Sequence, residues 1–148
     1  MIVITGATGN TGSVAAHKLL DQGEKVRVFG RSVERMKPFE KKGADAMVGD
    51  IANPDDLRDA FEGAETVYAM VPPAYDSTDP IGYHHSVGLA LQKALQDSDV
   101  THVVFLSSIG ADLPEGLGPV SGLHQVEQHL NGLEEINTLF VRAGYFME

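Results

Sequence analysis

Segments typical of β-strands alternate with segments typical of α-helices along the whole of this 148-residue chain. The strand segments are dense in Val, Ile, Leu and Phe, which is typical of parallel strands covered on both faces. The predicted strands occupy residues 2–5, 25–29, 46–49, 66–71, 102–107 and 138–142. Strict βαβα order gives right-handed crossovers, with helices on both faces of the sheet. The predicted fold is therefore one α/β domain, residues 1–148, with a doubly wound parallel sheet in the order 3-2-1-4-5-6.

The ends of the predicted helices are marked by glycine and proline. The predicted helices occupy residues 11–22, 33–42, 54–62, 82–97 and 122–131. Four of them end at a glycine or an Asn-Gly pair, and glycine readily adopts the left-handed conformation that closes a helix. These glycines are Gly23, Gly43, Gly63 and Gly132. Asn53-Pro54 predicts the start of the third helix, with Asn53 as its N-cap.

Composition excludes several classes of function. The net charge of −10 argues against nucleic-acid binding, because phosphate backbones would be repelled. There is no cysteine, which rules out disulfides and thiolate metal sites. The chain has neither a signal-peptide pattern at its start nor an apolar run near the ~18 residues of a membrane span. We therefore expect a cytoplasmic protein with no membrane partner.

Three glycines follow the first predicted strand at a regular spacing. Gly6, Gly9 and Gly12 form a G-x-x-G-x-x-G turn that opens the first helix. In that context such glycines allow a tight turn, close approach of the backbone to a pyrophosphate, and helix–strand packing. The helix N-terminus adds amide donors and a positive dipole end. The turn therefore predicts a dinucleotide site; the alternative is a tight turn with no ligand. Valine at Gly9 or Gly12 should block dinucleotide binding while leaving the fold largely intact.

The stretch T-G-A-T-G-N-T-G, residues 5–12, resembles the atypical short-chain dehydrogenases/reductases and, among them, the NmrA-like family. The resemblance covers the whole chain, because later landmarks follow in the family's order. These landmarks are Gly49-Asp50-Ile51 after the third strand, the serine motif of residues 105–110, and the sixth-strand signature of residues 141–148. The resemblance implies an NAD(P)-binding Rossmann domain with the acid of Asp50 beside the adenine. The cofactor-binding residues predicted so far are Gly6, Thr8, Gly9, Asn10, Thr11, Gly12, Asp50, Ile51, Met70 and Val71.

The end of the second strand indicates which dinucleotide is preferred. NAD-binding proteins place Asp or Glu there for the ribose 2′-hydroxyl, whereas this chain has Arg31 and Ser32. Arg31 can form a charge-assisted bidentate pair with a 2′-phosphate, and Ser32 can add a hydroxyl. Seven of the 11 Lys and Arg residues fall within residues 25–42, around this position. We predict NADP as the cofactor, with NAD possible; the alternative is that Arg31 is an ordinary surface residue.

The usual catalytic pair of short-chain reductases is missing. None of the four tyrosines has a lysine four positions later, so the Tyr-x-x-x-Lys pattern does not occur. The corresponding helix carries His124, which could donate a proton near neutral pH or simply bond a loop carbonyl. Ser108 best matches the serine that polarises the substrate, or it could cap the loop. Adjacent His84 and His85 point about 100° apart on a helix, so no metal is predicted.

The resemblance favours an NAD(P)H-dependent reductase that acts on a quinone, flavin or similar small acceptor. Such acceptors can take hydride from nicotinamide directly, which would make the missing pair tolerable. The rival hypothesis is a non-catalytic NADP(H)-binding redox sensor that regulates a partner protein. A remnant that binds no cofactor is a weaker alternative. NmrA-like proteins continue into a smaller C-terminal region after this signature, so we expect a fragment without its substrate domain, or else a homodimer.

A chain without the C-terminal substrate domain should also leave apolar residues near Phe140, Tyr145 and Phe146 partly uncovered.

Two loop-rich segments, residues 72–80 and 110–122, follow the carboxyl ends of strands. Open α/β sheets bind their ligands at those ends. Both segments are therefore predicted to form the rim of the site.

Overall fold

The computed structural model describes residues 1–73 and 77–144 of the chain. Its strands are β1 Ile2–Thr5, β2 Val26–Gly30, β3 Asp45–Val48, β4 Thr66–Met70, β5 His102–Ser108 and β6 Asn137–Ala143. Its helices are α1 Asn10–Asp21, α2 Val33–Glu40, α3 Pro54–Phe61, α4 Pro80–Gln96 and α5 Val120–Asn131. The described strands pair in parallel in the order β3-β2-β1-β4-β5-β6, which confirms the predicted topology.

Alternating side chains of the central strand fill two separate cores. Val3 packs into the larger core, with Leu91 of α4 and Phe105 of β5. Its neighbour Ile4 packs into the smaller core, with Met36 of α2. Because successive side chains of a strand point to opposite faces, a doubly covered sheet needs apolar residues at consecutive positions. This explains the continuous apolar runs in the sequence.

Three of the four helix-ending glycines behave as predicted, and the fourth does not. Gly23, Gly43 and Gly63 have φ of 82°, 94° and 69°, in the left-handed region. Gly132 has φ of −73°, and its amide continues the helical pattern by donating to the carbonyl of Gln128 at 3.2 Å. The prediction that Gly132 is left-handed was wrong, because the last turn of α5 closes with right-handed geometry.

The fourth helix starts two residues earlier than predicted. Asp79 caps α4, because its Oδ1 accepts a hydrogen bond of 2.9 Å from the amide of Gly82. Pro80 then takes the first helical position, where its missing N–H costs nothing. The Asp79-Pro80 pair therefore starts α4 in the same way as the Asn53-Pro54 pair starts α3.

The last strand leaves part of one sheet face uncovered. Leu139 and Val141 are 60% and 42% exposed, whereas Phe140 is half-buried and stacks edge-on against Phe105, with 6.3 Å between ring centroids. The exposed apolar surface predicted for this end therefore belongs to the alternate positions of β6 rather than to Phe140. Tyr145 and Phe146 lie outside the described residues.

Candidate functional site

A cavity of about 200 Å³ opens at the carboxyl ends of β1 to β4. Six of the residues predicted to bind the cofactor line it: Gly6, Thr8, Gly9, Arg31, Ile51 and Met70. Six further lining residues were not among that set: Phe29, Gly30, Arg35, Gly49, Pro72 and Pro73. Most of the second group could have been found from the sequence, since they neighbour predicted members at the ends of the same strands. A larger cavity, of about 560 Å³, contains none of the predicted site residues.

The glycine turn forms one wall of this cavity. Gly6 has φ of +64°, in the left-handed region that favours glycine, and a Cβ there would lie 2.7 Å from Sδ of Met70. Gly9 is exposed, and its amide donates to the carbonyl of Gly6 at 2.9 Å. The first turn of α1 contains no acid and no capping side chain, whereas Ser32, Asn53 and Asp79 each cap their helix. The N-terminus of α1 is thus suited to an anionic ligand.

Gly12 has a structural role instead of lining the cavity. It is buried, and a Cβ there would contact the Gly6 carbonyl oxygen and lie 2.9 Å from its carbon. The expectation that valine at Gly12 would leave the fold largely intact was therefore wrong, because the obstruction is backbone that cannot rotate away. At Gly9 a Cβ would lie 3.3 Å from the same oxygen, on an exposed surface.

Two arginines, four positions apart in the sequence, also line this cavity. Arg31 is exposed at the end of β2 and lines the cavity. Arg35 also lines it, and its Nη2 donates to the carbonyl of Thr8 at 2.7 Å, which joins α2 to the glycine turn. Ser32 lies outside the lining and caps α2, with its Oγ accepting from the amide of Arg35 at 3.4 Å. The cavity is therefore lined by two cationic side chains, and no acidic residue stands at the end of β2.

The remaining predicted residues lie outside the lining of the cavity. Thr11 Oγ1 accepts a bond of 3.1 Å from the hydroxyl of Tyr68. Asp50 Oδ1 accepts a bond of 3.0 Å from the amide of Ala52, in the turn that follows β3. Val71 is buried in the larger core, and Asn10 is the exposed first residue of α1.

One tyrosine interacts electrostatically with two of the predicted site residues. Burial raises the pKa of the Tyr83 phenol, with the positive charge of Arg31 lowering it and the carboxylate of Asp50 raising it. Tyr83 is half-buried in the first turn of α4 and packs against the larger core. Tyr83, Arg31 and Asp50 therefore share one electrostatic environment, a relation that no spacing in the sequence indicates.

The two candidate catalytic residues make local contacts. His124 Nδ1 lies 2.8 Å from the carbonyl oxygen of Ala111, so this nitrogen must carry the hydrogen. In the neutral ring Nε2 then has only a lone pair, and His124 can donate a proton from Nε2 only as imidazolium. Ser108 Oγ donates to the carbonyl of Ile109 at 3.2 Å. Neither residue lines the cavity of the glycine turn.

A buried carboxylate, which the sequence analysis missed, lies beneath this end of the sheet. Glu127 is 1% exposed and accepts a bond of 2.6 Å from Ser107 Oγ. Arg142 completes the network, with Nε and Nη2 donating to the two carboxylate oxygens at 3.0 and 2.6 Å. This bidentate contact raises the pKa of the Arg142 guanidinium. The network ties β5, α5 and β6 together beside Ser108.

Membrane-spanning helices and clusters of three or more metal ligands are both absent from the described residues. None of the described helices is long and apolar enough to cross a membrane. Residues 1–73 and 77–144 also contain no group of three or more His, Asp or Glu side chains able to hold a metal ion. His84 and His85 do diverge, as predicted: Nδ1 of His84 faces the carbonyl of Pro119 at 3.2 Å, while His85 faces His129.

Comparison with known proteins gives relatives that carry out redox chemistry. The NAD(P)H azoreductase of Xenophilus azovorans is 26% identical over 150 aligned positions, which cover 100% of this chain and 49% of that enzyme. The triphenylmethane reductase of Citrobacter sp., solved with NADP(H), is 26% identical with a TM-score of 0.80, covering 99% of this chain and 50% of that one. An NADPH-dependent quinone oxidoreductase of Escherichia coli, 21% identical with a TM-score of 0.78 and the same coverage, shares the fold. The chain spans about half the length of these proteins.

The family itself is shown by a match along most of the chain. A family model described as NAD(P)H-binding matches residues 6–135, from the first glycine of the turn into the α5–β6 connection. The match and the similar structures confirm the resemblance to NmrA-like short-chain dehydrogenases/reductases and the Rossmann sheet. With the glycine turn and the two arginines on one cavity, these findings establish that the chain belongs to the NAD(P)H-binding family.

Proposed function

We propose that this chain is the cofactor-binding domain of an NADP(H)-dependent reductase of quinones, dyes or similar conjugated acceptors. The observation that carries the proposal is a cavity that is lined both by the glycine turn and by Arg31. A dinucleotide 2′-phosphate beside Arg31 would meet a cation where NAD-specific proteins have an acid. The relatives named for azo and triphenylmethane reduction support acceptors of this class.

Different residues of the chain would bind the cofactor, contact the acceptor and supply the proton. The glycine turn would hold the pyrophosphate, and Arg31 would hold the 2′-phosphate. A bound NADPH would supply a hydride, that is one proton and two electrons. A quinone or azo acceptor would then need one proton for each hydride, which solvent or His124 as imidazolium can provide, whereas a cationic triphenylmethane dye is neutralised by the hydride and needs none. Ser108, at the end of β5, is the proposed contact for the polar group of the acceptor.

The first prediction tests the role of Arg31. Arg31→Ala should weaken NADP(H) binding by about 1.5–3 kcal/mol, as expected for a charged hydrogen-bond partner, and should hardly change NAD(H) binding. Calorimetric titration with both cofactors measures this difference. Arg35→Ala provides the contrast, because Arg35 also holds the Thr8 carbonyl and its loss should weaken both cofactors.

The control for these titrations is Arg58→Ala, since Arg58 is exposed, pairs with Asp55 and Asp59, and lines no part of the cofactor cavity. It should leave the binding of both cofactors unchanged. Equal losses of NADP(H) and NAD(H) affinity in Arg31→Ala would show that Arg31 does not read the 2′-phosphate. The proposal for NADP preference would then fail.

A second candidate function is a redox sensor that binds NADP(H) without turnover. It is favoured by the local contacts of His124 with the carbonyl of Ala111 and of Ser108 with that of Ile109. Both groups thus have partners within the protein. The two functions are separated by following NADPH absorbance with quinones, flavins, azo dyes and triphenylmethane dyes. Turnover supports the reductase, and tight NADPH binding without oxidation supports the sensor.

The second prediction tests the proton supply. In a turnover assay His124→Ala should reduce the rate by about 100-fold or more, the usual contribution of general acid catalysis, at unchanged NADP(H) affinity. His124→Asn separates two roles, because its amide can still donate to the carbonyl of Ala111 but cannot deliver a proton. His102→Ala, at an exposed position at the start of β5, is the control.

The two His124 variants have distinct expected outcomes. Loss of activity in both would assign the effect to the missing proton. Recovery of activity in His124→Asn would show that the ring only anchors the loop at Ala111. Full activity in His124→Ala would remove His124 from the mechanism.

A further inference from the structure

Two histidines and two glycines interlock where α4 packs against α5. His84 of α4 lies against Gly122 of α5, where an added Cβ would be 2.5 Å from Nδ1 of the ring. In the reverse direction, His129 of α5 lies against Gly88 of α4, where an added Cβ would be 3.0 Å from Cδ2 of the ring. Each helix thus has a glycine that makes room for a histidine of the other helix. The reaction proposed above uses neither histidine.

These rings also form hydrogen bonds across the contact. Nδ1 of His84 lies 3.2 Å from the carbonyl oxygen of Pro119, so this nitrogen carries the hydrogen. Nε2 of His129 lies 3.3 Å from Nδ1 of His85, and one of these two nitrogens donates to the other. Nε2 of Gln92 donates to the backbone carbonyl of His129 at 3.2 Å, which joins the two helices at the same level. The neutral histidines therefore hold α4 and α5 together.

We propose that His84 and the His85–His129 pair make the contact between α4 and α5 sensitive to pH, so that acid weakens it. The pair can accept one proton, because a charged ring can still donate to a neutral one. A second proton would bring two N–H groups and two positive charges together, with the ring centroids 5.1 Å apart. A proton on His84 would place a charge on a side chain of a residue that is only 8% exposed.

The direction of the pH dependence follows from the pKa of each ring. Burial lowers the pKa of His84, although its bond to the carbonyl of Pro119 acts in the opposite direction. Burial also lowers the pKa of His129, and the charge of His85 lowers it further. Both folded-state pKa values thus lie below the ordinary 6.5, so the unfolded chain binds more protons below about this pH. The stability is present above that pH and is lost as the pH falls below it.

The charged groups around this contact cannot balance all of these protons. Asp79 is the one acid among the described residues that line the groove of His85 and His129, and its Oδ1 already accepts from the amide of Gly82. Its single charge could balance one proton on the pair but not two. Tyr83 lies next to His84, with ring centroids 6.3 Å apart, and burial raises the pKa of its phenol, which stays uncharged. Other titratable groups on α3, α4 and α5 have partners of their own: Arg58 with Asp55, Lys93 with Asp97, Glu127 with Arg142, and His124 with the carbonyl of Ala111.

A weaker contact would also affect the loop that precedes α5. Pro119, whose carbonyl faces His84, belongs to the segment 110–122 that was predicted to form a rim of the site. Acid should therefore loosen this rim, whereas the glycine turn and Arg31 belong to other elements and should keep their positions. This consequence for the rim rests on the proposed function, but the pH dependence of the helix contact does not.

The test is urea unfolding of the 148-residue chain at about pH 7.5 and about pH 5.5. The equilibrium constant for folding should fall at least about tenfold between them, a range in which carboxyl groups with ordinary pKa values near ~4 contribute little. His84→Asn keeps a donor for the carbonyl of Pro119, and His129→Gln keeps a donor for His85, but neither new side chain titrates. The double variant should therefore lose most of the pH dependence.

His102→Gln is the matched control, since His102 is exposed at the start of β5 and lies outside this contact. It should keep the pH dependence of the unaltered chain. NMR titration of the unaltered chain needs no substitution, and the ring resonances of His84 and His129 should titrate below pH 6.5. Titration of both at or above that value, or an unchanged pH dependence in the double variant, would overturn the proposal. No readout depends on turnover, so failure of the proposed reductase activity would leave these results unaffected.

Discussion

Gly12→Val should abolish NADP(H) binding and also destabilise the folded chain by at least about 3 kcal/mol, the upper range for overpacking a core position. The added side chain would meet the carbonyl group of Gly6, with Cβ 2.9 Å from the carbonyl carbon. Since α1 packs on the turn at this point, relief requires the helix to move away from β1. Urea unfolding and calorimetric titration measure the two effects separately.

Gly9→Val separates binding from folding. Gly9 is exposed, has an extended backbone with φ of −90° and ψ of 174°, and would place a Cβ 3.3 Å from the Gly6 oxygen. This variant should lose NADP(H) while its stability changes by about 1 kcal/mol or less. Lys18→Val, which adds the same side chain at an exposed position of α1, should change neither greatly. Wild-type affinity in Gly9→Val would place the pyrophosphate elsewhere.

Glu127→Ala should lower the free energy of unfolding by about 1–3 kcal/mol, the usual cost of leaving a buried hydrogen-bond donor without its acceptor, because Ser107 is buried whereas Arg142 is 41% exposed and can turn to solvent. The substitution leaves the Ser107 hydroxyl without its acceptor and the Arg142 guanidinium without its bidentate partner. It also opens a cavity between α5 and the sheet, because Glu127 is 1% exposed. Urea unfolding followed by circular dichroism checks the value.

The control is an ion pair of the same length in a different environment. Glu34 pairs with Lys37 at 2.6 Å, as Glu127 does with Arg142, but its side chain is 78% exposed. Glu34→Ala should change stability by about 0.5 kcal/mol or less, because solvent screens exposed pairs. Similar small losses in both variants would show that burial does not strengthen the Glu127 network.

The fold was predictable because its signals are local. Apolar runs with glycine at their ends identified all of the described strands and helices to within a few residues, and their alternation gave the strand order. Errors occurred where a helix end depends on one capping contact. The cap by Asp79 moved the start of α4 to Pro80, and the right-handed Gly132 closed α5. Both outcomes depend on backbone geometry that spacing alone does not specify.

The cofactor cavity was predicted in part for a related reason. Gly6, Gly9 and Arg31 line it because they lie at or just after strand ends, which a parallel sheet brings to one edge. Arg35 was recognised as part of the basic cluster, but its bond to the carbonyl of Thr8 spans 27 residues. Ser32 was predicted to add a hydroxyl to the phosphate site; in the structure its Oγ caps α2 and the residue lies outside the lining. Side-chain direction at a helix start decides between those two roles.

The sequence by itself determined the parallel sheet, the glycine turn and the cationic end of β2, because each is set by neighbouring residues and by the periods of strand and helix. Only the tertiary structure decided which distant side chains meet. Glu127 with Arg142 and His85 with His129 come from different elements, and no spacing along the chain relates them. Their distances follow from how α4, α5 and the sheet pack. Contacts of this kind depend on how the whole domain packs, so they could be identified only from the structure.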